Sequence, residues 1–175
     1  MNWRYLFPLI IYRIHNVFHP IPLGLSDLRA KEYNPWWGSQ QIQLIYNTFP
    51  SLEKVLHLCP GLFSLWLRLW GAKIGKNVYW VPSVTVLDRG LLEVGDQVIF
   101  GHLSGTSSHI IKPVLDKLYV YVQWVKIGDR VLVGGESRVG AGAYVKPGVV
   151  IPFRHTVLPG EIFPSQVSEA IDASK

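Results

Sequence analysis

The stretch VKIGDRVLVGGESRVGAGAYVKPGVVIPFRHTV, residues 125–157, decides the fold because a branched aliphatic residue recurs in it every six positions. Glycine directly follows the first three of these positions. A period of six fits neither an amphipathic helix nor an array of hairpins. It is typical of a prism-shaped parallel β-helix, in which each flat face takes one inward aliphatic and each corner takes a turn residue. The six positions are Ile127, Val133, Val139, Val145, Ile151 and Val157.

The same phase continues upstream of this stretch, with two departures. The upstream positions are Ile74, Trp80, Val86 and Leu92, followed by Val94 and Phe100. From Ile74 to Val94 is twenty residues, which is one coil of about eighteen plus a slip of two around Arg89 and Gly90. From Val94 to Ile127 is thirty-three residues. We therefore predict that a loop over residues 110–125 interrupts a coil, and that the alternation within 118–124 makes it a strand or hairpin arm.

Length and composition limit the class of protein. The chain has 175 residues, enough for one domain with an extension, and its 49% apolar and 17% charged residues exclude intrinsic disorder. Of the net charge of +5, residues 1–73 contribute +4 (seven Lys/Arg, three Asp/Glu) and residues 74–175 contribute +1 (ten and nine). The sequence contains no run of basic residues, so it does not indicate nucleic-acid binding. Cys59 is the single cysteine, which excludes a disulfide framework and fits a reducing, cytoplasmic compartment.

Three regions are predicted from the change of pattern. Residues 1–71 form a helical and irregular extension, residues 72–160 the β-helix, and residues 161–175 a short tail helix. Within the extension we predict helices over 5–18, from an N-cap at Ser39 to Tyr46, from Ser51, and over 62–70. Residues 1–20 combine aromatic and basic side chains with no acid, and no apolar stretch reaches the ~20 residues of a spanning helix. This pattern fits a cap on the end of the prism or peripheral membrane contact, and both interpretations stay open.

The repeat resembles that of the hexapeptide-repeat acyltransferases. The segments that carry the resemblance are AKIGKN (72–77), LEVGDQV (92–98) and VKIGDRVLVGG (125–135). It extends over about residues 65–160 and implies a mainly β fold, the left-handed parallel β-helix, with sites between the subunits of a homotrimer. The implied activity is direct transfer of an acyl group, with an O-acetyl product expected, from acetyl-CoA or another acyl thioester to a hydroxyl or amine of a small-molecule, glycan or lipid acceptor. A non-catalytic β-helix scaffold is the alternative.

His109 matches the position of the family's histidine, at the end of a coil and before the loop. An imidazole is well suited to accept the acceptor's proton near neutral pH, so the resemblance implies a general base, while an exposed loop histidine is the alternative. Asp88, one coil earlier, could orient that ring or be an ordinary corner aspartate. His102 is a second candidate for the site or a residue of the coil wall.

The resemblance also implies a donor site on the coils after the break. Small corner residues there would let an extended pantetheine arm approach, and basic residues would meet its phosphates; surface solubility accounts for the basic residues equally well. The residues assigned to the donor are Gly134, Gly135, Ser137, Arg138, Gly142 and Lys146. We predict no metal, since within the repeat only His102 and His109 are close in sequence, no third histidine fits the coil geometry, and a catalytic zinc needs three protein ligands. The irregular sequence near His155 predicts that regular stacking ends there.

Overall fold

The computed structural model describes residues 3–164 of the chain. Before the repeat it contains four α-helices, a 3-10 turn over Val55–Leu58 and one strand. These elements are α1 (Trp3–Phe18), β1 (Gly24–Asp27), α2 (Pro35–Thr48), α3 (Ser51–Lys54) and α4 (Leu62–Trp70). The predicted helices over 5–18 and 62–70 are thus confirmed, and α4 ends where predicted, because Gly71 adopts a φ of 113° there.

The predicted start of α2 at Ser39 is wrong. Asn34 is the N-cap, and its side-chain oxygen accepts the backbone N–H groups of Trp36 and Trp37 at 3.0 and 3.3 Å. Pro35 occupies the first helical position, where its missing N–H costs no hydrogen bond. Ser39 is therefore buried inside the helix. The asparagine–proline pair is the stronger start signal of the two.

After α4 the chain winds through successive coils of three short strands each. Coil 1 contains β2 (Lys73–Ile74), β3 (Tyr79–Trp80) and β4 (Thr85–Val86). Coil 2 contains β5 (Leu92–Val94), β6 (Ile99–Phe100) and β7 (Gly105–Thr106). A hairpin follows, β8 (His109–Val114) and β9 (Lys117–Val122). Coil 3 contains β10 (Val125–Ile127), β11 (Leu132–Val133) and β12 (Arg138–Val139). Coil 4 contains β13 (Tyr144–Val145), β14 (Val150–Ile151) and β15 (Thr156–Val157), and β16 (Ile162–Phe163) follows it.

Equivalent strands of the coils stack in parallel into three sheets. Face 1 consists of β2, β5, β10, β13 and β16. Face 2 consists of β3, β6, β11 and β14. Face 3 consists of β4, β7, β12 and β15. The predicted three-sided parallel β-helix is therefore present, and its left-handed sense stays a prediction.

The predicted six-residue markers fill the interior of the prism. From Ile127 to Val157 all six are at most 2% exposed, and each directly precedes a corner. Both departures from the period are insertions that leave the stacking unchanged, because Ile74 pairs with Val94 and Val94 with Ile127. Each insertion lies between face 3 and face 1. The spacings of 20 and 33 residues in the sequence thus predicted the positions of both insertions.

The glycine after a marker is needed for close stacking of the coils. A Cβ on Gly134 would lie 2.5 Å from the carbonyl oxygen of Ile151 and 2.7 Å from the carbonyl carbon of Pro152 on the next coil. Both neighbours are backbone atoms, so a side chain cannot move aside to make room.

The repeat does not end near His155 as predicted. β15 pairs with β12 and β16 pairs with β13, so the ladder continues through Phe163. The His155 ring packs against the Phe163 ring at 5.0 Å between centroids, so the irregular sequence around His155 still forms a regular coil. The predicted boundary at residue 160 is accordingly too early, and the predicted tail helix lies, from residue 165 onward, outside the described residues.

The helical extension covers the first coil through aromatic contacts. Phe63 of α4 meets Trp80 edge-on at 5.3 Å, and Trp80 stacks on Phe100 of the next coil at 4.2 Å. Tyr12 of α1 contacts Trp70 of α4 at 4.7 Å. One continuous buried cluster runs from these helices into the prism. In the described part of the chain no helix has both the length and the apolar character needed to cross a membrane.

The predicted arm is an antiparallel hairpin, and the alternation in it is confirmed. Val120 and Val122 are completely buried, while Tyr119 and Tyr121 face the other side and are partly exposed. β1 of the extension adds a third, antiparallel strand on β9, which the sequence did not predict. The arm is thereby attached to the helical extension.

Candidate active site

Both insertions place an ionisable residue at the same corner, between face 3 and face 1. Asp88 lies in the first insertion, two residues after β4, with a left-handed φ of 56°. His109 begins the second insertion, three residues after the last residue of β7, which pairs with β4. Stacking of the two coils therefore brings together residues that are 21 positions apart.

His109 and Asp88 form a hydrogen-bonded pair. The Nδ1 atom of His109 lies 2.6 Å from Oδ2 of Asp88. The Asp88 side chain is 2% exposed and the His109 side chain 18% exposed. Because the carboxylate accepts, the neutral form of the ring carries its proton on Nδ1 and has its lone pair on Nε2. This arrangement can hold an imidazole in the tautomer of a general base and stabilise the imidazolium that forms.

The carboxylate of Asp88 has three further donors. The backbone N–H of Ser108 donates to Oδ2 at 3.1 Å. The indole Nε1–H of Trp36 donates to Oδ1 at 3.0 Å, and the side-chain amide of Gln40 donates to the same oxygen. The Trp36 ring also lies against the His109 ring, with centroids 4.7 Å apart and planes tilted by 55°.

Arg89, the next residue of the first insertion, is buried in the helical extension. Its Nε and Nη2 atoms donate to the two carboxylate oxygens of Glu53 at 2.6 and 2.8 Å. Nη1 donates to Gln43 at 3.2 Å, and Nη2 donates to Asn47 at 3.2 Å. The bidentate ion pair and the two amides satisfy a guanidinium that is 2% exposed. The insertion is thus held from both sides, by the prism and by the helices.

Sequence reasoning missed the partners of the insertion on α2. Trp36, Gln40, Gln43 and Asn47 follow the spacing 4, 3, 4 and therefore lie on one face of the helix. That spacing was visible in the sequence. It did not identify the partner, because nothing local shows which charged residue a stripe of amides will meet.

A cavity of about 520 Å³ opens along face 3 beside His109. Its wall is mostly apolar or small, and among the described residues that line it His109 and Arg138 carry ionisable side chains. Arg138 projects outward from β12 and donates from Nη1 to the backbone oxygen of Leu103. A cavity of this kind suits an extended, mostly apolar chain that ends near the imidazole.

The residues predicted for the donor lie at different edges of the prism. Gly134 and Gly135 lie between faces 2 and 3, Lys146 lies between faces 1 and 2, and Ser137 is buried with its hydroxyl donating to Pro152 O at 2.7 Å. A six-residue period carries residues a few positions apart to different edges of the prism. One of the set, Arg138, lines the cavity beside His109. Gly142 lies against the second strand of the hairpin, where an added Cβ would come within 2.9 Å of the Tyr121 hydroxyl oxygen and 3.2 Å of Gln123.

His102 lies at a different corner from His109, between faces 2 and 3. Its Nδ1 atom is 2.7 Å from the hydroxyl oxygen of Ser83 on the coil below, and the ring is exposed. It is not among the residues that line the cavity at His109. The position corresponds to the coil-wall interpretation of this residue. Within residues 3–164 no group of three or more His, Cys, Asp or Glu side chains is arranged to hold a metal ion.

Comparison with solved structures finds hexapeptide-repeat acetyltransferases, the family that the repeat resembles. One, from Vibrio cholerae O1 biovar eltor complexed with acetyl coenzyme A, is 16% identical with a TM-score of 0.48, over 69% of this chain and 82% of its own. Galactoside acetyltransferase in complex with coenzyme A is 14% identical with a TM-score of 0.43, over 61% and 71%. Serine acetyltransferase isoform 3 from Entamoeba histolytica is 10% identical with a TM-score of 0.31, over 97% and 76%. No family model and no curated protein matches the sequence.

Proposed function

We propose that this protein is an acyltransferase, which moves an acyl group from a coenzyme A thioester directly to the hydroxyl or amine of an acceptor. The observation that carries the proposal is the His109–Asp88 pair, joined at 2.6 Å beside the cavity on face 3. Two of the similar structures are complexes with acetyl coenzyme A or coenzyme A, so acetyl-CoA is the first donor to test and an O-acetyl ester the first product to seek.

The reaction follows from the positions of the protons. Nε2 of His109 takes the proton of the acceptor hydroxyl as its oxygen attacks the thioester carbonyl carbon. The buried carboxylate of Asp88 stabilises the imidazolium that forms. When the tetrahedral intermediate collapses, the carbon–sulfur bond breaks and the imidazolium returns the proton to the departing thiolate. Acyl group and proton are both accounted for, and no covalent enzyme intermediate is needed.

Arg138 is the residue proposed to meet the donor's phosphates. It is exposed on β12, at the same cavity as His109, and its guanidinium suits phosphate oxygens. The apolar wall of that cavity would accept the pantetheine arm and keep water away from the thioester.

Face 2 is proposed as the contact of a homotrimer of left-handed β-helices. Its outward positions form one apolar column, in register across all four strands, whereas those of face 3 are small or polar. The column consists of Tyr79, Ile99, Leu132 and Val150, each between 40% and 61% exposed. A paired apolar surface of this kind is typical of an interface between subunits. Light scattering of the double variant Ile99→Lys, Leu132→Lys should show the mass of one chain, against an oligomer for the parent.

The experiment that tests the activity is mass spectrometry of products formed from acetyl-CoA and a panel of hydroxyl and amine acceptors. His109→Ala should lower turnover by about 10²- to 10⁴-fold, because the attacking oxygen loses its proton acceptor. His102→Ala should leave turnover near the parent value, because its ring lies at another corner with Ser83. Equal product from the parent and His109→Ala would overturn the mechanism. No product from any donor and acceptor would favour the scaffold interpretation.

A further inference from the structure

The carboxylate of Asp88 accepts hydrogen bonds from a helix outside the repeat as well as from the coils. Of the four hydrogen bonds that reach the carboxylate of Asp88, two come from the coils and two come from Trp36 and Gln40 of α2. Both helix donors bind Oδ1, while Oδ2 accepts from His109 and from the backbone of Ser108. The two oxygens of one carboxylate are thus divided between the helix and the prism.

We infer that Trp36 and Gln40 are positioning residues for His109, acting through Asp88; the inference rests on the proposed function. With Oδ1 held by two donors, the plane of the carboxylate is fixed and Oδ2 is kept in the direction of the imidazole. The same donors draw negative charge toward Oδ1, so Asp88 holds the imidazolium proton less tightly than a carboxylate with fewer donors would. The Trp36 ring adds a wall that restricts the rotation of the His109 ring.

The helix is fixed relative to the pair by the rest of its polar face. Gln43 accepts the backbone N–H of Arg89 at 3.0 Å and its Nη1 at 3.2 Å, and Asn47 accepts Nη2. Because Arg89 directly follows Asp88, α2 forms hydrogen bonds with two consecutive residues of the first insertion. A shift of the helix would therefore move the carboxylate with it.

Other titratable and charged groups surround the pair. Burial raises the pKa of the Tyr12 hydroxyl on α1, and the negative charge of Asp88 raises it further. This tyrosine is therefore neutral near pH 7. Arg138 on face 3 shares the cavity, and the positive charge of Arg89 is balanced by Glu53. None of these charges is altered by substitutions at Trp36 or Gln40, so a change in the titration of His109 reports on the donors themselves.

Trp36→Phe in the full-length protein tests the inference, because it keeps a ring against His109 and removes the N–H donor. Trp37→Phe is the matched control, since Trp37 is the next residue of the same helix and is 52% exposed. The His109 ring resonance, assigned by its loss in His109→Ala, is followed by NMR through a pH titration. We expect its midpoint to move to higher pH by about half a unit to one unit in Trp36→Phe and to stay in place in Trp37→Phe. Gln40→Leu should move it in the same direction.

The acid limb of the kcat/KM profile should move with the NMR midpoint, while KM for acetyl-CoA stays within twofold. An unmoved midpoint in both Trp36→Phe and Gln40→Leu would overturn the positioning role, whatever happens to kcat. The NMR titration needs no acceptor. A moved midpoint in a protein that transfers no acyl group would therefore leave this inference standing while the proposed function fails.

A second inference rests on the outer face of α1. Its inner face packs on the protein through Pro8, Leu9 and Tyr12, which are buried. Outward, the helix exposes apolar side chains along its whole length, including Trp3, Phe7, Ile10, Ile14, Val17 and Phe18, each at least 52% exposed. A contiguous exposed apolar stripe on a water-soluble surface marks a binding face.

We propose that this face docks on an anionic phospholipid bilayer. Arg13 is exposed beside the stripe, and residues 1–26 contain two arginines, two histidines and no acidic residue. A second copy laid on the same face would bring like charges together, whereas anionic headgroups complement them. Aromatic side chains at both ends of the helix suit the boundary between headgroups and acyl chains.

Co-sedimentation of the full-length protein with vesicles tests this docking. We expect it to bind vesicles that contain phosphatidylglycerol and to bind phosphatidylcholine vesicles at least severalfold less. Phe7→Ser should lower binding severalfold, while Phe153→Ser should not, because both phenylalanines are 60% exposed but Phe153 lies on the prism. Arg13→Gln should weaken binding at low salt more than at high salt.

Equal sedimentation of the parent protein and Phe7→Ser with anionic vesicles would overturn the proposal. Equal binding to both kinds of vesicle would remove the anionic partner and overturn it as well. So would a lower oligomeric mass of Phe7→Ser by light scattering in the absence of vesicles, since a second copy of the chain would then cover the face.

Discussion

The prism and the helical extension are held together in different ways. Inside the prism most side chains are aliphatic, with Trp80 and Phe100 stacked at the end near the helices, and stability comes from repeated burial and from parallel backbone ladders. The extension instead packs individual aromatic rings against one another, among them Tyr12, Tyr46, Trp66 and Trp70, and buries the charged pair Arg89–Glu53. The β-helix is therefore specified by a repeated pattern of burial. The helical extension depends instead on specific pairs of residues, such as Arg89 and Glu53, in which neither partner can be replaced freely.

The largest expected effect comes from the buried ion pair that joins the two regions. Arg89→Met should lower the free energy of unfolding by about 3–5 kcal/mol, because Glu53 would keep its charge without a cation beside it. Urea denaturation measures this loss. Adding Glu53→Met to the same protein should restore much of the stability, since no unpaired charge then remains. A loss below about 1 kcal/mol for Arg89→Met would show that the junction is held by the aromatic cluster alone.

A smaller effect is expected at the stacked corners of the prism. Gly134→Ala should cost about 1–3 kcal/mol, because its Cβ would approach backbone atoms of the next coil to 2.5 Å. Gly135→Ala is the matched control; its Cβ would come no closer than 3.3 Å to any neighbour, and its cost should stay within about 0.5 kcal/mol. Thermal unfolding of both variants checks the pair. Equal losses would mean that corner glycines serve backbone conformation and not the close approach of coils.

The smallest effect concerns His57, on the extension side of the junction. Burial lowers its pKa, and its ring stacks on Phe63 at 4.3 Å. The folded protein therefore favours the neutral ring, so this contribution to stability is complete above the unfolded value of about 6.5 and is lost as the pH falls below it. The midpoint of thermal unfolding should drop less steeply between about pH 7 and pH 5 in His57→Gln than in the parent. Parallel curves for the two proteins would contradict this.

What could be predicted from the sequence follows the same division. The markers from Ile127 to Val157 specify the coils because each is an independent repetition of one signal. Asp88 and His109 could be named because each interrupts that signal. Trp36 and Gln40 could not, since their contact with Asp88 spans 52 and 48 residues and depends on how α2 docks. The residues predicted for the donor lie at different edges for a related reason, because proximity in a repeating sequence does not mean proximity on the prism.

The two insertions have a consequence for how such a protein can change. Two extra residues in one coil and fifteen in the next enter at a single corner and leave every ladder in register. Changing the length of either segment would alter the chemistry and the contacts with the helical extension, and would leave the register of the three sheets as it is. The register of the repeat and the reactive corner are therefore separable traits of this chain.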